Sequence, residues 1–235
     1  MRTFILIAFL ITLLSSCQTY QYLTLASDNV SRNEKNEFVA ESDTLQITYN
    51  FYGKNGPVNI RIYNKSSQAL EIDWKRSSLV IGDRPVPFYT PDMEINGSIT
   101  RSSIPQIAGS SVNATIRRQE GIEFIPPHAA ISRSGLHITK HLIDTRSVHT
   151  LKEKVKGQGL GKMQVTRAAF SKNSSPVVFR CYLSFVVPGG ETIFAKEHSF
   201  YVSELEQAAV QPQYVMPEKN KVGDKFFLRG IPAQY

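Results

Sequence analysis

Cysteine is nearly absent from this chain: 235 residues carry two, Cys17 and Cys181. A disulfide framework, the usual support of a small exported domain, is therefore excluded. Long apolar runs are as scarce. The one near the start, Phe4 to Leu14, is eleven residues interrupted by Thr12, and a helix needs about 20 to cross a bilayer. Signature motifs of catalysis are missing too. Gly157 and Gly161 are separated by three residues and Met163 follows Lys162, whereas a phosphate loop has four between its glycines and Ser or Thr after the lysine. The dinucleotide fingerprint fails because Lys162 stands where its last glycine belongs. No Gly-x-Ser-x-Gly elbow occurs. The expectation is a protein without cofactor and without enzymatic activity. An envelope hydrolase with catalytic residues scattered through the fold is the rival that motif reading does not reach.

What is present begins at the N-terminus. Arg2 supplies a positive charge, the eleven-residue apolar run follows, and Leu14-Ser15-Ser16-Cys17 closes it. An aliphatic residue, two small residues and a cysteine resemble the lipobox of bacterial lipoproteins. The resemblance implies a signal peptide over 1–16, cleavage between Ser16 and Cys17, and acylation of Cys17. One acyl chain anchors marginally, whereas two or more hold firmly, at about 0.8 kcal/mol per buried methylene. In that family Asp after the cysteine favours the inner membrane, so Gln18 points to an outer-membrane lipoprotein facing the periplasm. The competing reading is an ordinary secretory signal with an incidental cysteine.

The remaining 219 residues read as a mostly-β domain over 17–205 and a tail over 206–235. Period-two alternation marks half-buried strands at 45–51, 58–62, 70–74 and 177–187. Turn clusters separate them at Gly53 to Gly56, Asn64 to Ser67 and Gly82-Asp83. Tyr20 to Leu25 and Phe38 to Ala40 are further strand candidates, against a disordered linker reaching about Ser42. Pro91 to Arg118 reads as a long loop with a short helix or strand. Within this pattern Cys181 shares a face with Phe179, Leu183 and Phe185, as a small buried hydrophobe does. Its local sequence offers no histidine that would make it a nucleophile. Trp74 reads as a core anchor, and Glu71 and Asp73 as the wet face of its strand.

The basic character of the chain is concentrated. Between Arg133 and Lys172 stand nine Lys or Arg and two acids, a balance of +7, equal to the net charge of the whole sequence. Arg133, Lys140, Arg146, Lys152, Lys154, Lys156 and Lys162 are candidates for contact with an anionic surface. The bland reading is a solvated excursion from the domain. Its only aromatic residue is Phe170, which serves stacking on nucleic acid poorly, so no nucleic-acid partner is expected. Leu136 to Val155 has loose helical spacing. On a helix His137 and His141 would share a face and could reach a metal. Ile138 and Thr139 weaken that helix, and Ile138 stands where a zinc-protease motif has Glu. No metal site is expected.

The stretch IYNKSSQALEIDWKRSSLVIGDRPVPFY and the later SSPVVFRCYLSFVV resemble uncharacterised lipoproteins of Gram-negative envelopes. The resemblance implies an immunoglobulin-like antiparallel β-sandwich with long loops and little helix, and implies no activity. The expected protein is a lipid-anchored structural or binding module. Its partners would be the membrane through its acyl chains, and anionic lipid or another envelope protein. An accessory subunit of an outer-membrane assembly is the remaining alternative.

Overall fold

The computed structural model describes residues 18–89, 94–101, 110–117, 121–156, 162–187, 193–216 and 222–230. The expected signal segment and lipidation site, with Ser16 and Cys17, the glycine-rich stretch 157–161 and the expected turn at 188–190 lie outside the described residues.

Two sheets pack face to face. The larger has ten strands. Its main path runs β11 (Ile122–Ile125), β7 (Leu70–Ile81), β15 (Val178–Val186), β16 (Ile193–Ala208), β1 (Tyr20–Ala26), β17 (Lys225–Arg229) and β5 (Gly53–Lys54). β8 (Arg84–Pro87) joins β7, while β13 (Leu151–Lys156) and β14 (Lys162–Ala169) join β16. The smaller sheet orders β12 (Ala130–His137), β6 (Pro57–Asn64), β4 (Leu45–Asn50), β3 (Phe38–Glu41) and β2 (Ser31–Arg32). β9 (Glu94–Arg101) and β10 (Ser110–Arg117) form a separate hairpin where the sequence suggested mostly loop. Pairing is antiparallel except between β17 and β5. Helix is confined, among the described residues, to one turn, α1 (Pro212–Val215), and a 3-10 turn at Lys172–Ser174. The fold is mostly β and sandwich-like.

The alternation explains the packing. Leu45, Ile47 and Tyr49 of β4 and Val58, Ile60 and Ile62 of β6 are buried, and the residues between them are not. They meet Leu25, Trp74, Phe179, Phe185 and Val202 of the larger sheet in one core. Phe200 is its hub: the rings of Phe38, Tyr49 and Phe51 each lie 5.1 Å from it, edge-on. Such contacts add about 0.5–1.5 kcal/mol each beyond burial. Two glycines close turns at positive φ, a conformation that side chains disfavour. Gly82 turns β7 into β8 at φ +61°. Gly56, at φ +64°, lies so close to Ile138 that a Cβ would approach its Cδ1 to 2.9 Å.

Three expectations change. Leu136 to Val155 is not helical: it is the end of β12, a loop, and β13. The chain after residue 205 is not a tail, because β16 continues to Ala208 and β17 pairs with β1 along five residues. Phe226 and Leu228 of β17 are fully buried in the core. Residues 210–216 cover the outer face of β1, where Tyr20, Tyr22, Val165 and Met216 form a second apolar cluster. Finally, Asp73 keeps the face opposite Ile72 and Trp74 but is buried there rather than solvated. The register of β7 against β15 shifts between Tyr182 and Ser184. At that bulge the Asp73 carboxylate accepts from the backbone N–H groups of Lys75 and Arg76, at 3.0 and 3.2 Å.

Candidate membrane-facing surface

The long strand β16 organises this region. Its residues 201–208 pair with β1 on one side. On its other side 193–201 pair with β15 and 204–207 pair with β14. β14 thus takes over the edge that β15 leaves, and the β13–β14 hairpin extends the sheet toward the end where β1 begins.

The register fixes how far it extends. Lys152, Thr166, Gln207, Gln21 and Leu228 make one cross-strand row. From Thr166 the strand runs back four residues to Lys162, past the last residue paired with β16. At a rise of about 3.3 Å per residue this part of β14 reaches roughly 13 Å beyond the row. From Gln21 the strand runs back one residue to Tyr20, where β1 begins. The ends of β13 and β14 at Lys156 and Lys162 and the start of β1 at Tyr20 therefore lie at the same end of the sheet.

Lys152, Lys154 and Lys156 occupy alternate positions of β13, and Lys156 pairs with Lys162. Lys152 and Lys154 are exposed, and among the described residues neither makes an ion pair. The nearby acids are held on the other strand face by Arg167. It meets Glu204 at 2.8 Å, Glu153 at 3.2 Å, and Glu206 more closely still. The hydrogen bond to Glu206 raises the Arg167 pKa most, burial opposes it, and the charges of Glu206, Glu204 and Glu153 add to the rise. Arg167 and its three acids thus share one face, and Lys152 and Lys154 stand on the other.

The loop between β12 and β13 crosses the same end. Buried Gln21 pins it by acting as a strand edge: its Nε2 donates to the Ile143 carbonyl at 2.8 Å, and its Oε1 accepts the Ile143 N–H at 2.7 Å. Lys140 and Arg146 are exposed on this loop. Arg146 is paired with Asp144 at 2.7 Å, and those hydrogen bonds hold the Asp144 carboxyl down to about 2.

Arg133 does not belong to this surface. Its guanidinium turns between the sheets, 4.8 Å from the Trp74 ring centroid, and donates to the Phe88 carbonyl at 3.2 Å. Burial lowers its pKa, partly opposed by Glu123. The helical face that would have joined His137 and His141 is absent. His137 ends β12 and His141 lies in the loop, both exposed. No group of three metal-ligating side chains occurs among the described residues.

Cys181 is fully buried, as its strand position implied. The ladder places His198 directly opposite it, a neighbour invisible in the local sequence. His198 Nδ1 lies 2.7 Å from the Tyr49 hydroxyl. Burial raises the Cys181 and Tyr49 pKa values and holds His198 down to about 4. All three are neutral near pH 7, so this cluster lacks the thiolate that a cysteine nucleophile needs.

Comparison with known proteins adds no assignment: no protein-family model, no curated protein and no solved structure matches this chain.

Proposed function

We propose that this is a lipid-anchored protein of the cell envelope, held in the outer membrane by acylated Cys17 and facing the periplasm as a non-enzymatic structural or binding module. The immunoglobulin-like character of the sandwich belongs to the same proposal. The observation that supports it is that the basic hairpin and the start of β1, three residues after Cys17 in the sequence, lie at one end of the sheet. β1 begins at Tyr20, so only Gln18 and Thr19 separate Cys17 from the sheet. So short a tether holds the hairpin against the headgroups. Each lysine near an anionic surface contributes about 1 kcal/mol before screening.

The test is Cys17→Ser, followed by metabolic lipid labelling and fractionation of the envelope. Loss of label and release from the membrane fraction are expected. Continued membrane retention without label would overturn the anchoring reading.

An accessory role in a larger assembly is favoured by one feature. β11 is an edge strand carrying Ile122 and Phe124 about half exposed, at 48% and 53%. An open apolar edge can accept a strand from a partner.

A further inference from the structure

The outer face of the smaller sheet is an open groove of about 710 Å³, lined by residues from β2, β3, β4, β6 and β12. This size falls within the usual range of ligand sites, roughly 300–1,000 Å³. The ladder crosses it in rows. One runs Ser31, Val39, Thr48, Arg61, Ser132 across all five strands. The next places Glu41, Gln46, Tyr63 and Ala130 side by side.

The charged groups of this face are committed, with one exception. Glu41 is paired with Lys65 at 2.8 Å. Glu37 accepts from Asn33 and Asn50, each at 2.9 Å. Arg32 meets Asp224 at 3.5 Å, and Arg133 turns inward to Phe88 and Trp74. Arg61 is exposed on β6, with a strand on each side. Among the described residues it makes no ion pair or hydrogen bond, and its charge meets only the Tyr63 ring, 5.9 Å from the centroid. Thr48 and Ser132 stand opposite it on the two flanking strands.

We propose that this groove binds an acidic oligosaccharide, with a carboxylate of the sugar on Arg61 between the hydroxyls of Thr48 and Ser132. A guanidinium fork matches a carboxylate in two parallel hydrogen bonds. A hydroxyl-rich chain needs mixed donors and acceptors, which the side chains of Gln46, Asn59 and Ser134 supply. Tyr63 offers a ring face beside the charge. Five strands span about 19 Å, room for more than one sugar ring. The groove lies on the other sheet from the basic hairpin, so the proposal does not rest on membrane contact.

The experiment is titration calorimetry of the full chain in a neutral detergent at physiological ionic strength, with trigalacturonate and maltotriose as probes. Saturable binding of trigalacturonate is expected, with maltotriose at least tenfold weaker. Arg61→Gln should weaken trigalacturonate at least tenfold, and Arg61→Lys by less, because the charge stays and the fork is lost. Trp74 fluorescence should be unchanged in both variants, since Arg61 is exposed and outside the core. Lys152→Gln with Lys154→Gln should bind as the parent chain does. Absence of saturable binding, full affinity in Arg61→Gln, or loss through the hairpin lysines would each overturn the proposal.

Discussion

Arg133 of the smaller sheet places its guanidinium 4.8 Å from the ring centroid of Trp74 in the larger one, and the indole Nε1 donates to Glu123 at 2.9 Å. A cation, a ring and a carboxylate thus join the two sheets near the edge strands β12 and β11. Trp74 is the only tryptophan of the chain and is fully buried, so its fluorescence reports this seam. Arg133→Gln removes the cation over the ring and the bond to Phe88. It should cost about 1–3 kcal/mol, from a cation–π contact of about 0.5–2 and a hydrogen bond of about 0.5–1.5. Denaturant unfolding followed by Trp74 emission checks this. An unchanged midpoint would show that the seam does not depend on Arg133.

Cys181 tests the packing of the larger sheet. In the Cys17→Ser chain it is the only thiol. Being fully buried, with its pKa raised by burial, it should resist a thiol reagent at neutral pH until denaturant is added. Cys181→Ser places a hydroxyl in an apolar setting and should cost on the order of 1–3 kcal/mol. Rapid labelling of the folded chain would contradict the burial.

Much of the core was legible in the sequence because it depends on local alternation. Leu45, Ile47, Tyr49, Val58, Ile60, Ile62, Phe179, Cys181 and Phe185 are buried as period two requires. What was not legible depends on distant pairing. Lys152, Lys154 and Lys156 recur at period two, the one local sign of a strand. Only the partnership of β14 with residues 204–207 shows that the strand belongs to the main sheet. Phe226 and Leu228 stand out as apolar, but their place beside β1 is set by residues some 200 positions away. Asp73 misled because, although it stands opposite Ile72 and Trp74 as alternation requires, the bulge beside it brings the backbone N–H groups of Lys75 and Arg76 onto its carboxylate and buries it. Arg133 misled because charge counts along a segment say nothing about which face of an edge strand carries each side chain.

His198 gives a pH dependence. Burial holds its pKa down to about 4, against about 6.5 in an unfolded chain. Between these values the unfolded state binds the additional proton. The contribution of this residue is therefore complete above about pH 6.5 and is lost as pH falls toward 4. The full difference is worth up to about 3 kcal/mol. His198→Gln keeps a polar partner for Tyr49 and does not titrate, so its stability should fall less between pH 6.5 and 4. Parallel melting curves of the two chains across that range are the measurement. Identical pH dependence would remove His198 from the account.

The proposed membrane contact of the hairpin is tested most directly by co-sedimentation of the Cys17→Ser chain with anionic vesicles, at low and at physiological ionic strength. Without acyl chains, any association must come from the protein surface. The account predicts binding at low salt that weakens steeply as salt rises. It also predicts loss of that binding when Lys152, Lys154 and Lys156 are all changed to Gln, with the Trp74 emission and the melting curve unchanged. A parent chain that ignores anionic vesicles at low salt, or a triple variant that sediments equally well, would contradict it.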